Sequence, residues 1–318
     1  MMVLSVNLSS AQQINLTYQN PVINKSLPDP TVIKAKDGFF YLYATENTKN
    51  VPIYKSKDLI DWKFSGTAFT DETRPSFEPK GGIWAPDINY INGKYVLYYS
   101  MSVWGGEWTC GIGVAVADRP EGPFIDKGKL FRSNEIGVQN SIDQFYMEHQ
   151  GRKYLFWGSF RGIYAIELSA DGLSIKSDAE KKQVAGTAFE GTYIHKRGKY
   201  YYLFASVGSC CEGVKSTYKL VVGRSTSLFG QYVDKNGKPM MQNGYEVVIN
   251  YNDRFVGNGH NSEIVQDKKG KDWLFYHGVD KQNPKGRILL LDQLQWDKEG
   301  WPFVQSGSPS LKSNRPQF

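Results

Sequence analysis

The chain has 318 residues, 40% of them hydrophobic and 14% aromatic, and a formal charge of +6. Its lysines fall in turns such as Lys181-Lys182 and Lys268-Lys269, with no basic stripe carrying interleaved aromatics, so nucleic acid is not the expected partner. No stretch approaches the ~20 apolar residues of a membrane helix, and Cys110, Cys210 and Cys211 form neither a disulfide framework nor a zinc spacing.

Residues 1–15 read as a tail or the remnant of a signal peptide. Ser9-Ser10-Ala11 precede Gln12, but the apolar run is short and no Lys or Arg opens it. The rest, 16–318, reads as one domain. Leu16 to Asn24 is expected to form an outer strand of the last repeat. A pattern then recurs five times: an acid, a polar turn with glycine, and an aromatic strand. The first copy has Asp29, the turn at Asp37-Gly38 and Phe39–Ala44; the second has Asp87, Asn92-Gly93 and Tyr95–Ser100. Asp143, Gln150-Gly151 and Tyr154–Ser159 make the third, and Glu190, Gly198 and Tyr200–Ser206 the fourth. Glu263, Gly270 and Trp273–His277 make the fifth. Acid and turn glycine lie 9, 6, 8, 8 and 7 residues apart, and successive acids 58, 56, 47 and 73 apart. Hairpins repeating at this length predict an all-β fold, a five-bladed propeller with a central channel. The first strand of each blade lines such a channel, so the five acids are expected to converge there.

The adjacent pair Cys210-Cys211 is not expected to close a relaxed disulfide, because the bridge geometry conflicts with a trans peptide between neighbours. The cysteines therefore do not fix the compartment.

Carboxyls facing each other over a cavity suit glycosidic bond cleavage. One must be protonated to donate to the leaving oxygen, and the other ionised to activate water; a third acid nearby raises the donor's pKa. Acids from different blades leave room for that water, which favours inversion. Asp29 stands between Pro28 and Pro30, Asp143 follows Asn140-Ser141-Ile142, and Glu190 reaches one methylene further than an aspartate.

Several stretches resemble glycoside hydrolase family 43, and within it the endo-α-1,5-L-arabinanases. They are Leu27-Pro28-Asp29-Pro30, Gly82-Ile83-Trp84-Ala85-Pro86-Asp87-Ile88, Asn140-Ser141-Ile142-Asp143 and Phe189-Glu190-Gly191-Thr192-Tyr193-Ile194. Ser209-Cys210-Cys211-Glu212-Gly213 and Gly257-Asn258-Gly259-His260-Asn261 point to the arabinanase branch. The resemblance implies an inverting mechanism with Asp29 as general base, Glu190 as general acid and Asp143 tuning and orienting Glu190. It implies Trp84 as a sugar-stacking platform, Asn140, Ser159 and Arg287 as sugar contacts, and Tyr193 and Phe77 lining the groove. His260 matches a histidine associated with a central ion, usually calcium, held largely through water. Read without the resemblance, a lone histidine is a satisfied buried one, and a poor match for a hard cation. Thr192 and Asn258 depart from the prolines common at these positions, both expected to flank the cleft.

The expected substrate is plant cell-wall arabinan or its oligosaccharides, cut internally by an exported, monomeric enzyme. The alternatives are an exo-acting relative, an α-L-arabinofuranosidase or a β-xylosidase, and, in another class, a non-catalytic carbohydrate-binding propeller.

Overall fold

The computed structural model describes residues 16–318. The expected signal remnant at 1–15 lies outside them. The fold is all-β, its one α-helix among the described residues being the four-residue turn Ser133–Ile136. No helix among these residues is long and apolar enough to cross a membrane.

Three antiparallel sheets of four strands follow one another. The first holds Thr31–Lys34, Phe40–Tyr43, Pro52–Ser56 and Lys63–Thr67. The second holds Gly82–Ile91, Lys94–Ser102, Gly111–Ala117 and Ile125–Arg132. The third holds Phe145–His149, Arg152–Trp157, Ile163–Glu167 and Lys182–Ala185. The remaining two units merge into one ten-stranded sheet. Glu190–Arg197, Tyr200–Val207, Lys219–Ser225 and Glu246–Ile249 form its first part, and Val265–Gln266, Asp272–Asp280, Ile288–Trp296 and Pro302–Val304 its second. The joint is Phe255–Gly259, which pairs with Asp272–Asp280 and touches Lys219–Ser225 through the single bridge Lys219–Asn258.

Local sequence explains the hairpins. Asn92 and Gly93 take φ of 49° and 86°, the left-handed pair that a two-residue hairpin turn requires. Inner strands are buried on both faces, as in Phe40–Tyr43 and Asp272–Asp280, so each sheet is packed on two sides. Alternation then divides the side chains. Tyr41 and Tyr43 pack with Leu97 and Tyr99 of the second sheet, while Phe40 and Leu42 pack with Trp273 and Phe275 of the last unit. Tyr98 and Val96 join Tyr146 and Leu155 of the third sheet, and Phe156 joins Leu203 and Leu274 beyond it. Each such buried side chain contributes about 1.5–3 kcal/mol relative to exposure. The order of contacts is cyclic and gives a propeller-like arrangement.

The segment expected as one outer strand is two short strands. Thr17–Gln19 pairs with the C-terminal Lys312–Asn314 and rests on the last unit through Tyr18, whose hydroxyl donates to Leu291 O at 2.7 Å and whose ring meets Trp273 edge-on. Ile23–Ser26 pairs with Ile288 and Leu289. Pro21 stands between them and has no N–H for a ladder, so one continuous strand is not available. The outer side of Ile288–Trp296 is shared, Ile23–Ser26 pairing at its start as an outer strand and Pro302–Val304 at its end.

Candidate active site

The acids at the strand starts divide into two groups. Asp29, Asp143 and Glu190 line one cavity of about 660 Å³. Asp87 and Glu263 do not reach it and instead stitch sheets together. Asp87 Oδ2 accepts from the Tyr146 amide at 2.7 Å, and Glu263 accepts from the Val32 amide at 2.7 Å and the Thr31 hydroxyl at 2.8 Å. Burial pushes both of these carboxyls upward.

The backbone bends sharply where it delivers the cavity's side chains. Asp29, Asn140, Asp143 and His260 have φ of 55°, 55°, 60° and 50°. The left-handed region is unfavourable for side-chain-bearing residues, and such outliers cluster at sites where geometry is over-determined by the surroundings. Glu190 opens its strand and is followed by Gly191 at φ 62°. A Cβ at Gly191 would come within 3.0 Å of the His260 ring, so glycine is what allows that imidazole to sit beside the acids.

Asp29 is the most heavily partnered of the three. Arg287 Nη1 donates to its Oδ1 at 2.9 Å and the Thr45 hydroxyl to its Oδ2 at 2.6 Å. Its own amide donates to His277 Nδ1 at 3.2 Å, and His260 Nδ1 lies 3.2 Å from Oδ1. Burial works against the carboxylate, but Arg287 and then His260 outweigh it and hold Asp29 well below its ordinary range. Glu190 has fewer charge partners. Burial raises it, while the Ser159 hydroxyl, donating to Oε2 at 2.6 Å, pulls the other way. Asn140 Nδ2 donates to Ser159 Oγ at 2.9 Å and fixes that hydroxyl. Asp143 is pushed up to about 7 by burial, opposed by His260 and reinforced by Glu190. The cavity thus sets an ionised carboxylate beside carboxyls displaced toward the protonated form, the division of labour that acid–base catalysis needs.

His260 Nδ1 is also 4.0 Å from Asp143 Oδ2. Burial alone would lower its pKa; Asp29 and Asp143 overcome that and raise it to about 9. It sits in the cavity as a charged group between carboxylates. Calcium takes six to eight oxygen ligands. No group of three or more His, Cys, Asp or Glu able to hold an ion occurs among the described residues, and His260 presents a nitrogen already engaged by carboxylates. These side chains form no all-protein cage, an arrangement that an ion held largely through water does not require, and no chemistry is derived through the ion.

Trp84, Asn140, Ser159 and Arg287 line the cavity with the acids. Tyr193 and Phe77 do not. Tyr193 is buried, packs edge-on against Phe145, and accepts from the Ile264 amide at 3.1 Å. Tyr193 pairs with Phe204, and both belong to the buried core cluster. Phe77 stacks on Tyr99 and lies under the Arg132 guanidinium. Thr192 and Asn258 are buried rather than at the cleft wall.

Cys210 and Cys211 do form a disulfide, contrary to the expectation from adjacency, and both line the cavity. Cys110 is free and buried. Thr45 and His277 carry no sequence signal for their contacts with Asp29. Their partners lie 16 and 248 residues away in the chain.

The model of Glycosyl hydrolases family 43 matches residues 18–302. The chain belongs to glycoside hydrolase family 43. This family 43 chain is 35% identical over 304 residues to the extracellular exo-α-(1→5)-L-arabinofuranosidase of Cellvibrio japonicus, covering 87% of the chain and 85% of that protein. It is 34% identical to the extracellular endo-α-(1→5)-L-arabinanase 1 of Bacillus subtilis, covering 88% of each. Among solved structures, the Cellvibrio cellulosa α-L-arabinanase complexed with arabinohexaose superposes with a TM-score of 0.80 at 33% identity, over 90% of this chain and 98% of that one. The endo-arabinanase of Bacillus licheniformis gives 0.77 at 33% identity, over 88% and 98%. The family 43 chain is a glycoside hydrolase.

Proposed function

We propose that the enzyme hydrolyses internal α-1,5-L-arabinofuranosidic bonds of arabinan with inversion, in a cavity at the axis of five blades closed into a ring. The observation that carries this reading is the contrast between Asp29, held ionised by Arg287 and His260, and Glu190, raised by burial, in one cavity. Asp29 takes a proton from water as that water attacks the anomeric carbon. Glu190 gives its proton to the departing sugar oxygen. Asp143, raised to about 7, shares the cavity with Glu190 and orients it, and the negative charge of Asp29 favours the protonated form of Glu190. Arg287 and Asn140 hold the sugar at the point of cleavage, with Trp84 beneath it. Cyclic packing of neighbouring sheets supports the ring.

The similarity to arabinan-active relatives supports the substrate, and the names of two of them support export from the cell. An exo-acting reading has its own support, because identity to the exo-acting relative, 35%, equals that to the endo-acting one, 34%, within a point.

Product analysis on debranched arabinan, beside xylan and small aryl glycosides, tests the proposal. A ladder of arabino-oligosaccharides is expected from arabinan early in the reaction. A single short product from the start would replace endo by exo action, and turnover of xylan alone would remove the arabinan assignment. The anomeric configuration of the first product, read by proton NMR, tests inversion.

A further inference from the structure

The face opposite the cavity carries a concentration of positive charge that hydrolysis does not use. Asp29, Asp143 and Glu190 stand where first strands begin, and the first turn of each unit lies at the far end of the same strand. The extended chain from Glu190 to Arg197 puts that end about 23 Å away, at about 3.3 Å per residue. Lys34 and Lys36 stand at this turn in the first unit, Lys94 in the second and Arg152 in the third. Lys196, Arg197 and Lys199 stand there in the fourth, and Lys268, Lys269 and Lys271 in the fifth. All ten are exposed. The same turns contain three acids, Asp37, Asp267 and Asp272, so they hold an excess of seven positive charges where the whole chain has six. The rest of the protein is close to neutral.

Contacts join each turn to the next unit. Lys36 Nζ lies 4.6 Å from the centre of the Tyr90 ring in the second unit, and Asn92 Nδ2 donates to Ala170 O beside the third at 3.2 Å. Tyr201 of the fourth unit and His149 of the third meet at 3.2 Å between hydroxyl and Nδ1, and Arg197 Nη1 is 3.7 Å from Asp272 Oδ2 of the fifth. The Lys268 amide donates to Gln317 O at 2.8 Å, and Lys34 Nζ lies over the neighbouring Phe318 ring at 5.6 Å, which returns to the first. The charges thus form one patch running round the face. Lys94 pairs with Asp118, Arg152 with Glu167 and Arg197 with Asp272, but the other seven make no ion pair among the described residues. Asp267 turns inward, its carboxylate accepting from the Lys269 and Lys271 amides and from Trp273 Nε1. Like charges gathered on one face repel one another and oppose the compact state, so solubility alone would be served better by spreading them.

We propose that this face docks the enzyme on a polyuronate, a polysaccharide with one carboxylate on each sugar, while the cavity on the other side works on arabinan. Eight of the ten basic residues are lysines, point charges suited to single carboxylates; arginine, whose fork grips phosphate through two bonds, supplies only two. The aromatic rings here are not free to stack nucleobases either, since Lys36 lies over Tyr90, Lys196 over Tyr201 and Lys199 over Tyr200. One exposed ion pair is weak, but a polymer that meets several at once gains through effective concentration. The choice of a sugar polymer rests on the reading of the cavity as an arabinan site.

The test uses the full chain with polygalacturonate as the probe. Binding is measured by biolayer interferometry at about 50 and 150 mM salt, with thermal melts to show that each variant is folded. In the variant carrying Lys196→Gln, Lys199→Gln, Lys268→Gln, Lys269→Gln and Lys271→Gln, affinity is expected to fall about 10-fold or more and its salt dependence to shrink. The same change at five exposed lysines elsewhere, Lys49, Lys80, Lys127, Lys215 and Lys285, is expected to lower it less than about 3-fold. Turnover of arabino-oligosaccharides without polyuronate should be equal in the first variant and the parent enzyme. No binding at the lower salt, or equal losses in the two variants, overturns the docking face. Duplex DNA of equal charge binding more tightly than polygalacturonate would replace the carboxylate polymer by a phosphate one and overturn the proposal. If polygalacturonate binds as expected while arabinan is not hydrolysed, the docking face stands and the arabinan reading falls.

Discussion

Arg287 Nη1 lies 2.9 Å from Asp29 Oδ1, joining a residue near the end of the chain to one near its beginning. The guanidinium is the strongest of the influences holding the buried Asp29 carboxyl down. In Arg287→Met the acidic limb of the kcat/KM profile is expected to move to higher pH by about one unit, equivalent to about 1.4 kcal/mol. Rates measured from pH 4 to 9 check this. A residue that only touched sugar would lower the whole profile without displacing its limb.

Glu190→Gln is expected to lower kcat about 10²- to 10⁴-fold, the usual contribution of a positioned general acid. Sugar binding should persist in that variant. Unchanged turnover on arabinan would remove Glu190 from the mechanism.

Ser159→Ala removes a donor that favours the ionised form of Glu190. The acid then keeps its proton to higher pH, so the basic limb of the rate profile should move upward while the acidic limb stays. A shift toward lower pH would contradict this account of the hydroxyl.

His260 has a folded-state pKa of about 9 against an ordinary 6.5. Folding therefore favours the protonated ring. The corresponding stability is fully present below about 6.5 and is lost as pH rises through about 9. Melting temperature should decline over that interval, and His260→Gln should flatten the decline. Asp29 has the opposite sense, its depressed value stabilising the fold above about 3.8 and failing as the solution is acidified below it. Melts from pH 3 to 10 report both ends.

The cysteine pairing can be counted directly. Denatured without reductant, the chain should accept one maleimide, at Cys110; with reductant it should accept three. Three labels in both conditions would show Cys210 and Cys211 to be free thiols.

Much of this architecture is written locally. Asn92-Gly93 and the other turn glycines mark hairpins because few residues tolerate their dihedrals, and the inner strands follow as apolar runs. The three cavity acids are also legible, since each stands at a strand start. What escaped is set by tertiary geometry. Tyr193 packs into the core against Phe145 and Phe204, and a stacking contact with Tyr99 holds Phe77 away from the groove. Asp87 and Glu263 repeat the same pattern as the other acids, yet serve to join sheets. Thr45 and His277 have nothing in their neighbourhoods to announce Asp29. Only the assembled sheets bring them to it.

The pairing of Ile23–Ser26 with Ile288 and Leu289 has a bearing on when the enzyme becomes competent. Asp29 emerges from the ribosome among the first tenth of the chain, yet the guanidinium that charges it belongs to the last 32 residues. A nascent or C-terminally clipped polypeptide therefore carries its acids without the counter-charge that sets them to work.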